Sequence, residues 1–127
     1  MGWRVRAIRG ATTVPTNSVE DVALAVTEML DHVERHNALD LAEIVSVTFS
    51  VTADLDAIFP AAIARKRSGW EAVPLLDVQQ MSVNGSLPRC IRLLIHFNTP
   101  DPDVVITHAY LRGAQALRPD LVAASDV

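Results

Sequence analysis

The chain combines one long amphipathic helix with several segments that alternate like β-strands, and this imbalance limits the folds open to it. Apolar side chains recur at helical spacing from Val22 to Val33. Asn17 or Ser18 can cap this helix, which we expect to end near Asn37. A single helix covers only part of a sheet, so the remaining apolar surface needs another partner. A second copy of the chain is the simplest one, and we predict a homo-oligomer.

Alternation of apolar and polar side chains predicts the strands, which are residues 3–8, 45–51, 73–78, 90–97 and the start of 104–117. Residues 109–117 can continue as strand or turn helical. Residues 9–15 are expected to be a loop. Pro60 begins a short helical segment that stops near Gly69, and Asn84-Gly85 predicts a turn before the fourth strand. Together these elements predict an α+β fold, a mixed five-stranded sheet packed on one long helix plus a short helical segment.

Length and composition fit one small domain. The 127 residues are read as a single domain, 1–127, in which residues 119–127 can form a flexible tail. The net charge of −4 argues against nucleic acid as a partner, and no apolar run is long enough to span a membrane. Cys90 is the only cysteine, so no internal disulfide can form and a cytoplasmic location is expected.

The usual nucleophiles and metal ligands are missing from the sequence. Cys90 lies within an apolar strand, where a packed core thiol is the expected state. His32 and His36 stand one helical turn apart and could share a metal, but they lie at a polar helix end and predict a solvated face instead. We therefore expect neither a metal nor a cofactor.

Arginine dominates the positive charge, because ten of the eleven basic residues are arginine and only Lys66 is lysine. Its planar fork of donors suits carboxylates and phosphates. Arg92 interrupts an apolar strand and should face a cleft, a subunit interface or a buried carboxylate. Arg9, Arg65 and Arg118 lie beside loop signals, and for Arg65 and Arg118 an ordinary surface charge is the competing interpretation.

Five short motifs occur in one order and cover almost the whole chain. They are RGATTV at 9–14, AIFPA at 57–61, SGW at 68–70, CIR at 90–92 and LRPDL at 117–121. In this order and spacing they resemble the chorismate mutases of the trimeric pseudo-α/β-barrel class. The resemblance implies a homotrimer with its sites at subunit interfaces, acting on chorismate and prephenate in aromatic amino-acid biosynthesis without cofactor or metal.

The chemistry of that family explains why arginines suffice. Chorismate becomes prephenate by an intramolecular Claisen rearrangement, which needs positioning and electrostatic stabilisation but no nucleophile. The resemblance assigns each residue a role: Arg92 as the cation at the ether oxygen, Arg9 and Tyr110 as carboxylate ligands, Phe59 and Leu117 as apolar walls, and Arg65 and Arg118 as peripheral cations. Without the resemblance, Tyr110 and Phe59 read as ordinary packed aromatics.

Asp77 and Gln80 depart from the family pattern, which usually has cysteine and glutamate at these positions. We expect the carboxylate to have moved to Asp77, which would then partner Arg92 or Arg9, while Gln80 keeps neutral hydrogen-bonding capacity. Residues three apart in a regular strand point to opposite faces, so this exchange requires an irregular backbone.

Several other functions remain open from the sequence. One alternative is a catalytically impaired homologue that binds chorismate or prephenate without interconverting them. A second is another small trimeric enzyme that uses an arginine to bind a keto or imino acid. A purely structural trimer gives no reason for Arg92 within an apolar strand.

Overall fold

A computed structural model describes residues 2–122 of the chain. Its strands and helices are β1 (Arg4–Thr13), α1 (Val19–His36), β2 (Ile44–Val51), α2 (Pro60–Ala64), β3 (Leu75–Gln79), β4 (Cys90–Thr99) and β5 (Ala109–Tyr110). Three short 3-10 turns cover Leu41–Glu43, Arg112–Leu117 and Pro119–Leu121. Within the described range no helix has both the length and the apolarity needed to cross a membrane.

The strands form one mixed sheet in the order β3-β2-β4-β1-β5. The central strand β4 runs antiparallel to both β1 and β2, while the outer pairs β2–β3 and β1–β5 are parallel. This confirms the predicted α+β fold with a mixed five-stranded sheet, one long helix and a short helical segment. Because β1 and β2 both pair with β4, residues from distant parts of the sequence meet at the middle of the sheet.

Both ends of α1 are fixed by side chains. Ser18 is the N-cap, and its hydroxyl accepts a hydrogen bond from the backbone N–H of Asp21 at 3.1 Å. At the other end the Asn37 amide donates to the carbonyls of Val33 (3.0 Å) and Thr107 (2.9 Å), and it accepts from the N–H of Thr107 (2.9 Å). The predicted helix limits are confirmed. Asn37 also ties the helix to the segment that leads into β5.

The helix covers only one face of the sheet, which we call the inner face. The predicted apolar stripe of α1 is buried and packs in one core with the inner-face side chains of the sheet, among them Ile8, Phe49 and Ile95. The opposite outer face keeps exposed apolar side chains, including Leu76 at 57 % exposure and Leu94 at 38 %. The uncovered surface expected from a single helix is therefore present on the outer face.

Two sequence predictions about strand limits are wrong. Residues 9–13 are not a loop, because β1 continues to Thr13 and pairs with β4 as far as Cys90. Residues 104–108 are irregular rather than strand, and β5 is limited to Ala109–Tyr110 before the chain turns helical. Asn84 and Gly85 do form a turn, with Gly85 at a φ of 82°, but it joins strands that are not neighbours in the sheet.

A polar network holds the segment after α2 against α1. The guanidinium of Arg67 binds Asp31 at 2.9 Å and donates to Glu34 through Nε at 3.0 Å. The Trp70 indole N–H also donates to Glu34, at 3.3 Å. Among the three charged members Arg67 is the most enclosed, with a side chain only 17 % exposed. Its loss would leave Glu34 partly buried without its cation.

Replacing Arg67 by methionine is expected to lower the free energy of unfolding by about 2 kcal/mol. This loss is smaller than that for breaking a fully buried ion pair, because water screens the exposed Asp31. Urea denaturation at one fixed protein concentration measures the change. Lys66→Met is the matched control, since Lys66 is exposed and adjacent. Equal destabilisation by the two variants would contradict a special role for Arg67.

Candidate active site

The outer face brings Arg9, Arg92 and Tyr110 together around one small residue. Ala11 of β1 is directly opposite Arg92 of β4 on one side and Tyr110 of β5 on the other. Arg9 precedes Ala11 by two residues, so it shares this face and lies diagonally from Arg92, a spacing of roughly 7–8 Å between such positions. The small Ala11 side chain leaves the two longer neighbours room to reach the same space. The exposure of Arg92, away from the core, agrees with its predicted orientation.

Leu117 and Arg118 lie next to this group. Leu117 packs against a small outer-face cluster that contains Ala11 and Tyr110. Arg118 makes a bidentate ion pair with Asp120, with Nε–Oδ1 at 3.1 Å and Nη2–Oδ2 at 2.9 Å. We call Arg9, Arg92, Tyr110, Leu117 and Arg118 the arginine face, because cations surround an apolar and aromatic wall.

The electrostatics of the arginine face suit an anion. Hydrogen bonds from Arg118 lower the pKa of Asp120. The positive charge of Arg9 lowers this pKa further, so Asp120 stays ionised. Asp120 offsets one of the arginine charges, while Arg92 lies against the thiol of Cys90. Cys90 is buried, as predicted for a core thiol, and burial raises the pKa of its thiol despite Arg92. A neutral thiol leaves the charge of Arg92 available to a ligand.

Asp77 occupies a different place, on the inner face beside α2. Its Oδ1 accepts the backbone N–H of Ala61 at 3.0 Å, so Asp77 caps the short helix. Burial raises the pKa of Asp77, while the Ala61 N–H and the charge of Arg65 oppose the shift. Phe59, at the start of α2, is 71 % exposed and with Asp77 lines a cleft of about 530 Å³. We call Phe59, Arg65 and Asp77 the α2 group.

The expected partnership of Asp77 with Arg92 or Arg9 does not occur within one chain. β3 is regular along β2, with Asp77 opposite Phe49, an inner-face residue. Arg92 is opposite Ser50, which points to the other face. The irregular backbone that the exchange required is absent from β3, so the arginine face and the α2 group lie on opposite sides of the sheet.

Gln80 follows β3 and belongs by alternation to the outer face, like Val78. Its backbone N–H donates to the Val51 carbonyl at 2.7 Å, which continues the pairing with β2. Its side-chain oxygen is buried and accepts no hydrogen bond from any residue between 2 and 122. Buried acceptors of this kind are rarely left without a donor.

His108 is a site neighbour that the sequence analysis missed. Its Nδ1 accepts a hydrogen bond from the backbone N–H of Arg9 at 2.8 Å. The prediction of a strand over 104–108 assigned this side chain no role. An isolated histidine directly before the aromatic Tyr110 segment is too weak a signal to have identified it.

His32 and His36 do not form the solvated pair that the sequence suggested. Their ring centroids are 4.4 Å apart, and His32 is only 3 % exposed because it faces the core side of α1. Over the described range, no cluster of three or more His, Cys, Asp or Glu side chains could hold a metal ion.

Comparison with known proteins identifies the family. The family model of type I chorismate mutases matches residues 5–121. The chain belongs to the type I chorismate mutase family. A curated chorismate mutase from Thermus thermophilus is 44 % identical over 121 residues, covering 94 % of this chain and 98 % of the relative. The chorismate mutase of Bacillus subtilis is 38 % identical over 117 residues, covering 92 % of each chain.

A solved structure supports the same relationship. The chorismate mutase from Clostridium thermocellum superposes with a TM-score of 0.81 at 40 % sequence identity, covering 87 % of this chain and 98 % of the relative. The fold and the sequence therefore lead to one family, and the five motifs quoted above lie within the matched region.

Proposed function

We propose that this protein converts chorismate to prephenate on its arginine face, as a cytoplasmic enzyme of aromatic amino-acid biosynthesis. The observation that carries the proposal is the convergence of Arg9, Arg92 and Tyr110 around Ala11 on the outer face. Chorismate is a dicarboxylate, and its rearrangement develops negative charge on the ether oxygen. Fixed guanidinium groups on a rigid sheet can bind the carboxylates and stabilise that charge.

Each residue of the arginine face then has a distinct task. Arg92 donates to the ether oxygen, where one C–O bond breaks while a C–C bond forms. Arg9 and Tyr110 bind carboxylate, and Leu117 supplies an apolar wall that holds the compact conformer. No proton moves between the enzyme and the substrate, so positioning and electrostatics are the whole contribution of the protein. Arg118 attracts the dianion once its ion pair with Asp120 opens.

The assembly is a homotrimer, a pseudo-α/β barrel in which each site lies between two subunits. Two observations support this. Exposed apolar side chains on the outer face, such as Leu76 and Leu94, need a cover. The α2 group and the arginine face lie on opposite sides of the sheet of one chain, which supports assigning Phe59 and Arg65 to the site of a neighbour.

The same geometry supports a role for Asp77 in the shared site. Its Oδ2 is not engaged by the Ala61 N–H, which binds Oδ1, and the carboxylate borders the α2 cleft. From there Asp77 can accept the substrate hydroxyl in a neighbour's site, while Gln80 contributes neutral hydrogen-bonding capacity from the outer face. The carboxylate exchange thus operates between subunits.

Incubation of the purified protein with chorismate tests this proposal. We expect prephenate to form well above the uncatalysed rate, together with a trimeric mass by light scattering. Asp77→Asn should lower kcat/KM about tenfold through loss of a charged acceptor, since the asparagine still accepts the Ala61 N–H and preserves α2. An unchanged kcat/KM would contradict the role of Asp77. Binding of chorismate without turnover would favour the impaired homologue, which the relationship to active mutases does not favour.

A further inference from the structure

His108 joins two segments that lie 99 residues apart in the sequence, β1 and the start of β5. The parallel pairing of these strands is very short, with only Gly10 opposite Ala109 and Ala11 opposite Tyr110. Beyond this pairing, the backbone N–H of Arg9 donates to Nδ1 of His108 at 2.8 Å. A side chain therefore takes the place of the next backbone acceptor.

This hydrogen bond fixes the protonation state of the imidazole. Nδ1 can accept the Arg9 N–H only when it carries no proton, so the ring is neutral with its hydrogen on Nε2. The surroundings favour the same state. Burial and the positive charges of Arg9 and Arg118 lower the pKa of His108 from its ordinary 6.5.

The segment carrying His108 is also held from the helix side. Asn37, at the end of α1, binds both the carbonyl and the N–H of Thr107, at 2.9 Å each. His108 follows immediately, so its backbone position is set by α1 while its ring reaches β1. The contact thus transmits the position of a rigid helix to the backbone of Arg9.

We propose that His108 is a positioning residue, whose neutral ring holds the β1 backbone at Arg9 so that the Arg9 guanidinium meets a substrate carboxylate. This inference rests on the proposed function of Arg9. Edge strands held by only two backbone pairs are easily displaced. Without the His108 acceptor, the Arg9 N–H loses the hydrogen bond that ties it to the β5 segment, and β5 is released from β1 at the point where the site begins.

Protonation of His108 should disrupt the site. The charged groups near the ring are Arg9 on β1 and Arg118 after the 112–117 turn, with Asp120 bound to Arg118 and Tyr110 following on β5. The contact from α1 is made by the neutral Asn37. A second proton would remove the acceptor and add a cation between two arginines. As the pH falls below 6.5, toward the lowered pKa of folded His108, both the Arg9 contact and its contribution to stability are lost.

Two variants separate positioning from general packing. In His108→Asn the side-chain oxygen lies where Nδ1 lies, so a neutral acceptor is kept that cannot titrate. In His108→Leu the volume is kept but the acceptor is lost. At pH 7.5 we expect His108→Leu to lose about tenfold in kcat/KM, mainly through KM, and His108→Asn to stay within about threefold of the parent.

The pH profile is the decisive readout. The parent enzyme should lose kcat/KM as the pH falls below 6.5 and His108 takes up a proton, whereas His108→Asn should keep a flat profile over the same range. An unchanged acid limb in His108→Asn, or full activity at pH 7.5 in His108→Leu, would overturn the inference. If His108→Leu does not fold, the profile of His108→Asn decides alone. Arg9→Ala separates the two proposals. If Arg9→Ala loses activity while both His108 variants behave like the parent, the proposed function stands and only the role of His108 is removed.

Discussion

Replacing Arg92 by alanine is expected to lower kcat by about a thousandfold, at the upper end of the effect of removing one preorganised donor to a developing charge. Arg92 is the one cation of the arginine face on the central strand, between β1 and β2, and a rigid position of this kind costs no reorganisation during the reaction. The measurement is the steady-state conversion of chorismate to prephenate, with kcat and KM separated. Because charge develops mainly in the transition state, the loss should appear chiefly in kcat.

Two companion variants sharpen this test. Arg92→Lys keeps the charge but not the planar fork, so it should recover only part of the lost activity. Arg4→Ala removes an exposed arginine at the far end of the β1–β4 pairing, where Arg4 is opposite Thr99, and should leave kcat unchanged. A fall of less than tenfold for Arg92→Ala, in a protein of unaltered mass and circular dichroism, would remove Arg92 from the mechanism.

Mixing two inactive variants should restore activity if each site is shared between subunits. Arg92→Ala damages the arginine face, and Phe59→Asp places a negative charge in the α2 group, where Phe59 is exposed enough to tolerate it. Each variant alone should convert chorismate at under about one hundredth of the parent rate. Arg92→Ala lacks the cation that stabilises the developing charge, and the new carboxylate of Phe59→Asp repels the substrate dianion. After dissociation and reassociation of an equal mixture, about one quarter of the sites combine an intact arginine face with an intact α2 group. The expected recovery is therefore about a quarter of the parent activity.

The matched control uses two variants from the same half of the site. Arg92→Ala mixed with Arg9→Ala cannot create an intact arginine face in any combination, so no activity should return. Recovery in this control would mean that Arg9 and Arg92 serve different sites. Absence of recovery in the first mixture, with mixed trimers demonstrated by mass, would place the whole site within one chain.

The sequence was sufficient wherever a signal was local. Ser18 caps α1 because a hydroxyl can reach an N–H three residues later, and Asn37 ends it. Alternation along 45–51 and 90–97 matched β2 and β4, since side chains in a strand point to opposite faces at every step. The exposure of Arg92 followed from the same rule.

The sequence failed where pairing between distant segments decided the structure. Small and polar residues over 9–13 resemble a loop, but pairing with β4 extends β1 through them. Residues 104–108 alternate like a strand, yet only two residues of β5 find a partner. Asp77 was expected beside Arg92 or Arg9, and the regular pairing of β3 with β2 turns it to the other face.

By itself, the sequence determined the number and type of the main elements, the family and the residues that bear positive charge, because periodicity, capping and motifs are properties of short segments. Only the tertiary structure decided which of those residues share a face, and it alone revealed the bond between His108 and Arg9. The physical reason is that the face and neighbours of a strand residue depend on register, and register is fixed by hydrogen bonds between strands as far apart in sequence as β1 and β4.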